Sequence, residues 1–174
     1  ISLLRRFPRI SFAIEDLRVT GNGKFSSDTL VSASSIEAAL NLMSVIRGDK
    51  MIIYSVAVNR PRIHAIVAKD GMVNWDITKP DTIALTDTAQ KPFNLELKKY
   101  SISDGYVSYV DSAGGMSSEV FGLQHEGSGD FTADEFTLST KTTADGVYFT
   151  MGHVPYLVNT KTKLNADIQV DNKI

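Results

Sequence analysis

The feature that most constrains this chain is a period of two that recurs from one end to the other. Ile10, Phe12 and Ile14 alternate with small or polar neighbours, and so do Ile52, Tyr54, Val56 and Val58. Phe93, Leu95 and Leu97 repeat the pattern, Phe136 and Leu138 run on into Thr140 and Thr142, and Leu164, Ala166, Ile168 and Val170 form a last one-sided stripe. Successive side chains of a strand point to opposite faces, so this spacing specifies one apolar and one wet face. One-sided strands are the signature of antiparallel sheet, whereas parallel strands covered on both faces read as unbroken apolar runs. The expected fold is therefore mainly β and antiparallel. Periodicity leaves open whether the apolar faces close into a core or line an open groove.

The alternation slips parity twice. Leu17 and Val19 resume out of phase with Ile14, which predicts a bulge near Glu15-Asp16, and Tyr100 and Ile102 resume out of phase with Leu97. Turn residues punctuate the runs at Asn22-Gly23, Asp104-Gly105, Gly114-Gly115 and Asp145-Gly146, with Lys69-Asp70-Gly71 expected to close a short hairpin. The stretch from Ser34 to Gly48 reads two ways. Ser34 with Glu37 makes a capping box, with Ile36, Leu40 and Met43 at helical spacing, yet Leu30 to Leu40 also alternates. Residues 78–92, with Pro80 and Pro92 and little periodicity, read as a mobile linker within a single 1–174 unit, between a first set of strands (1–77) and a second (93–174). The two sets are weakly alike: Val56 to Ile63 lines up with Tyr100 to Val107.

Composition narrows the function classes. Lys and Arg number 18 against 20 Asp and Glu, a formal net charge of -2, where a nucleic-acid binder would be strongly basic. Cysteine is absent, which removes disulfides, thiol nucleophiles and zinc-thiolate sites. No apolar run approaches the roughly 18 residues of a membrane-crossing helix. His64, His125 and His153 stand alone, without metal-ligand spacing, and Glu15-Asp16 and Asp134-Glu135 are adjacent pairs whose members point to opposite faces of a strand. Gly127-Ser128-Gly129 is too short for a nucleophile elbow. The expectation is a non-enzymatic chain with no cofactor and no metal. Arg5, Arg6 and Arg9 form a basic cluster able to touch anionic headgroups, at about 1 kcal/mol per charge near a membrane surface.

Residue order adds a resemblance. Phe7-Pro8-Arg9-Ile10-Ser11-Phe12 with Ile14 to Val19, then Leu40 to Gly48, Ile52 to Val58, Pro61-Arg62-Ile63-His64 and Asp70-Gly71-Met72-Val73-Asn74-Trp75-Asp76, is similar to the N-terminal region of the AsmA family. Tyr100 to Asp111 fits more loosely. The resemblance covers residues 4–111, and the rest of the chain only by its strand pattern. It resolves the ambiguous segment into a strand to about Ala39 and a short helix over Asn41–Arg47. It implies a strongly curved and twisted sheet (an open groove, partial barrel or sandwich) of the kind found in AsmA, TamB and bridge-like lipid-transfer proteins. It further implies a periplasmic segment of a Gram-negative envelope protein, tethered to the inner membrane by a missing N-terminal helix. Such proteins serve phospholipid transport between membranes, and with it outer-membrane biogenesis and integrity. Phospholipid acyl chains and other envelope proteins are then the expected partners. The residues expected to face acyl chains or the core are Phe12, Ile14, Ile36, Leu40, Val56, Val58, Phe93, Leu95 and Leu97, with Arg5, Arg6 and Arg9 near the membrane. The alternative is a structural or interaction β-domain in outer-membrane protein assembly.

Overall fold

A computed structural model describes residues 9–47, 51–77, 95–129, 131 and 135–171. Almost all of them lie in one sheet of nine strands. In chain order these are β1 (Arg9–Thr20), β2 (Thr29–Asn41), β3 (Met51–Asn59), β4 (Arg62–Val67), β5 (Leu95–Leu97), β6 (Lys99–Asp111), β7 (Met116–Ser128), β8 (Glu135–Met151) and β9 (Val154–Asp171). A single helix, α1 (Leu42–Arg47), follows β2 directly. Its start is set by Asn41, whose Oδ1 accepts from the backbone N–H of Met43 at 3.0 Å and Ser44 at 3.2 Å.

The sheet is simpler than nine strands imply. β3 and β4 are two halves of one ribbon, both paired antiparallel with β2, through Ser35↔Asn59 to Leu40↔Ile53 and Val31↔Ile63 to Ser32↔Arg62. β5 and β6 form the next ribbon, paired in parallel with β3 and then β4. The order across the sheet is therefore β1, β2, β3/β4, β5/β6, β7, β8, β9, strongly curved but not closed into a barrel. The expectation of a curved β sheet with one short helix near 41–47 holds. The expectation of an antiparallel sheet is corrected: it is mixed, with β3–β5, β3–β6 and β4–β6 parallel. These parallel strands keep one-sided alternation because only one of their faces is apolar, so periodicity could not reveal their direction.

The register of that parallel junction is the internal alignment read from the sequence. Val56 pairs with Tyr100, Val58 with Ile102, Arg62 with Tyr106 and Ile63 with Val107. The weak likeness of the two segments is a pairing of like ribbons. The linker expected over 78–92 lies outside the described residues. Asp145-Gly146 does not break a strand, since β8 runs through it, and the chain reverses instead at Gly152 (φ 56) and His153 (φ 66). Two consecutive positive φ values form the tight hairpin turn that suits strand twist.

The segment after β4 is not the expected second hairpin strand but a strap with a single bridge, Val67↔Val73. Beyond the two-residue pairing with β2, the edge of β4 lacks a strand neighbour among the described residues, and Asn74 substitutes for one. Its backbone N–H donates to Ile66 O at 3.1 Å, its Oδ1 accepts from Ile66 N at 2.9 Å, and its Nδ2 donates to His64 O. Asn74 is 1% exposed, the most buried polar side chain described. Asp70 starts the strap, accepting from Met72 N at 3.1 Å and from Lys24 Nζ at 2.6 Å, and these bonds hold its carboxyl below the usual carboxylate range. Trp75 lies beside Tyr109, ring centroids 6.5 Å apart. Asp70, Gly71, Asn74 and Trp75 thus form a structural clasp.

Candidate functional site: an uncovered apolar sheet face

Register and alternation assemble the apolar residues into rows that run from β1 into the middle of the sheet, two of them continuing to β9 through mixed residues. One row runs Ile14, Ile36, Val58, Ile102, His125, Thr142, Leu164. The next runs Phe12, Ala38, Val56, Tyr100, Gly127, Thr140, Ala166. A third takes Ile10, Leu40, Ile53 and Leu97. Of the nine residues named from sequence, seven (Phe12, Ile14, Ile36, Leu40, Val56, Val58 and Leu97) therefore share one face in three adjacent rows. Leu95 is placed in β5 but its side chain lies outside the described residues, as does Phe93 altogether. Of the basic residues, Arg5 and Arg6 lie outside the described residues, while the guanidinium of Arg9 sits over the Tyr54 ring, 4.3 Å from its centroid.

Burial grades across these rows. Leu40 and Ala38 are buried, whereas Phe12 and Ile14 at one edge are each 48% exposed and Leu164 at the other is 56% exposed. The buried apolar set among the described residues is small: Phe25, Leu30, Ala33, Ala38, Leu40, Phe136 and Ala144. Among the described residues no second layer covers the apolar side. A single-layer sheet with one apolar face leaves surface that ordinarily packs against another element.

How this face stays continuous along each strand is set by backbone residues that sequence reading only partly anticipated. Asp16, Arg60, Asp104, Gly122 and Asn159 have φ between 48 and 59°, in the left-handed region. They fall on β1, the β3/β4 joint, β6, β7 and β9, and the pairings around them place them in one line across the sheet. The parity slip read at Glu15-Asp16 is the first of these, but the bulge predicted there is absent: the β1–β2 register is unbroken from Glu15↔Ser35 to Leu17↔Ala33, and the left-handed Asp16 makes the slip. Each sits where the apolar parity changes, as from Ile14 to Leu17 and from Ile102 to Val107. A Cβ at Gly105 would lie 3.2 Å from Ile102 Cγ2 and 3.2 Å from Leu123 Cβ, so positions 102 and 105 face the same side although three apart. The left-handed residue reverses the alternation and keeps apolar side chains on one side. Hydrogen bonding continues through the seam, with Arg60 N donating to Ser103 O and Tyr106 N donating to Pro61 O, both at 2.8 Å. The second slip has a different cause: Tyr54 is the extra residue of a bulge, between Ala39↔Ser55 and Leu40↔Ile53, and Lys98 interrupts the neighbouring ribbon beside it.

The opposite face is polar with an aromatic row. His64 and Tyr106 lie 5.4 Å apart by ring centroid, Tyr106 and Phe121 4.9 Å, and Phe121 and Tyr148 5.7 Å. Tyr106 donates to Glu119 Oε1 at 2.6 Å, which favours the neutral phenol and raises its pKa. His64 Nδ1 is 3.0 Å from Ser108 Oγ, and His125 Nδ1 is 2.8 Å from Thr142 Oγ1, partners that account for two histidines as sheet residues. Among the described residues no group of three or more His, Asp or Glu could hold a metal ion, and no helix is long and apolar enough to cross a membrane.

No family model, no curated protein and no solved structure matches this chain.

Proposed function

We propose that the apolar side of this sheet carries lipid acyl chains, as a non-enzymatic periplasmic segment of an AsmA-like envelope protein that moves phospholipid between membranes. One observation supports this reading above others: two registered rows, apolar from β1 to β6 and mixed beyond, cross an open sheet beside a third apolar row from β1 to β5, and among the described residues no layer covers them. Hydrocarbon laid along such rows is stabilised by about 0.8 kcal/mol per buried CH₂, and no polar pocket is needed to hold it. Tethering to the inner membrane and contact with other envelope proteins belong to the same proposal.

The test is uptake of a fluorescent phospholipid by the purified chain. Val58→Asp and Ile102→Asp, in the middle of one row, are expected to abolish uptake while far-ultraviolet dichroism stays that of a β sheet. Failure of the wild-type chain to take up lipid overturns the reading. A second reading, a structural or interaction domain in outer-membrane protein assembly, is favoured by β9, an 18-residue edge strand exposed along nearly its whole length. Partner capture that survives Val58→Asp with no lipid uptake would select it.

A further inference from the structure

On the polar face, three arginines gather beside the left-handed seam. Arg18, Ser32 and Arg62 are register partners across β1, β2 and β4. They alternate with Leu17, Ala33 and Ile63, so they project from the side opposite the apolar rows. Arg60 joins them from the seam. The four line a cavity of about 410 Å³ together with Ser34 and Asp16, so three guanidiniums meet a single carboxylate there. The acids Glu15 and Asp104 belong to a neighbouring cavity of about 570 Å³ that shares Arg60, Asp16 and Ser34. Arg62 is engaged by Asp104, with Nη2 3.4 Å from Oδ2. Among the described residues Arg18 and Arg60 are in no ion pair, and Arg60 donates only through Nε, to Ser34 Oγ at 3.0 Å. Its terminal fork is left unengaged.

The backbone makes Arg60 notable. At φ 48 it occupies the left-handed region, disfavoured for most non-glycine residues and filled more easily by Gly or Asn. Arg60 shares this conformation with the other residues of the seam, and the seam brings its side chain beside Arg18 and Arg62. Arginine forks match the oxygens of a phosphate bidentately, and serine hydroxyls complete the donor set.

We propose that the pocket of Arg18, Arg60 and Arg62, with Ser32 and Ser34, binds a phosphate-group oxyanion. The shared chemistry is a phosphate group, presented by a soluble phosphate ester or by an anionic lipid headgroup at a membrane surface. The site lies on the face opposite the acyl-chain rows and does not rest on that reading.

Calorimetric titration with inorganic phosphate and with phenyl phosphate tests the soluble source, and co-sedimentation with phosphatidylcholine vesicles containing or lacking phosphatidic acid tests the headgroup. The expected result is binding in at least one arm, weakened at least about tenfold by Arg60→Gln and by Arg18→Gln and unaffected by Arg47→Gln. Binding to phosphate or phenyl phosphate assigns a soluble ligand, and capture only by vesicles with phosphatidic acid assigns a headgroup. Binding in neither arm overturns the site, as does binding that both arginine variants leave at the wild-type level. Arg60→Gln keeps the backbone demand of its position, and if it fails to fold, Arg18→Gln on the exposed edge strand decides alone.

Discussion

Left-handed residues inside strands are the smallest units that shape this protein. Glycine at Asp16 would relieve steric strain and add unfolded-state entropy, two effects of similar size and opposite sign. A β-branched residue there meets the strain in full, because its Cβ substituents crowd the following carbonyl. Asp16→Gly is therefore expected to change unfolding free energy by less than about 1 kcal/mol, and Asp16→Val to lower it by about 1–2 kcal/mol or more, measured by urea denaturation. Equal losses in both variants would mean that the carboxylate, not the backbone, matters at this position. The site was legible in the sequence as a change of parity, because the apolar residues on either side must reach the same side of the sheet. Arg60 and Asp104 were not, since the Arg60-Pro61 and Asp104-Gly105 dipeptides read as ordinary breaks between strands. The arginine pocket was invisible for a further reason: positions 18, 60 and 62 come together only through the pairing of three strands.

Elements are matched to one another by such fits. In β7, Gly127 lies under the Tyr100 ring of β6, and a Cβ at that position would overlap the ring. Tyr100 OH is also 3.2 Å from His125 Nε2, and its ring lies 5.4 Å from that of His125. Gly127→Ala must therefore displace the ring and its contact, at about 1–3 kcal/mol. Truncating the ring removes the collision, so in Tyr100→Ala the same glycine substitution is expected to cost little. A double-mutant cycle by thermal unfolding reads this directly, and additive losses would show that the ring does not press on Gly127. In the sequence Gly127 stood out only within Gly127-Ser128-Gly129, too short for a nucleophile elbow, because nothing local signals a ring laid over it from another strand. The strand-and-helix split at Asn41 was ambiguous in the sequence, because Ser34 with Glu37 offered an earlier cap and only the family resemblance favoured the split, whereas in the fold Asn41 caps the helix.

For the whole molecule, the decisive property is that one layer of sheet must hold itself together. Its middle is the parallel junction of β3/β4 with β5/β6, flanked by β2 on one side and β7 on the other, and its edges are β1 and β9. Inner ribbons have neighbours on both sides over most of their length, while among the described residues β1 and β9 have one partner each. Opening should therefore begin at the edges and reach the junction last, so that protection grades with position in the sheet, not with position in the chain. Native-state hydrogen exchange is expected to give its slowest amides in β6 and β7 and its fastest in β1 and β9, although β9 is the longest strand. Protection in β9 equal to that in β6 would contradict a free edge and mean that this strand pairs with another chain in solution. Added phospholipid separates the two readings of the molecule here. Chains lying on the apolar rows bridge many ribbons at once and should slow exchange in the centre and edges together, because ligand that binds only the folded sheet raises the free energy of its global opening. A protein partner added to the β9 edge should slow β9 and its neighbour β8 first, leaving β1 as labile as before.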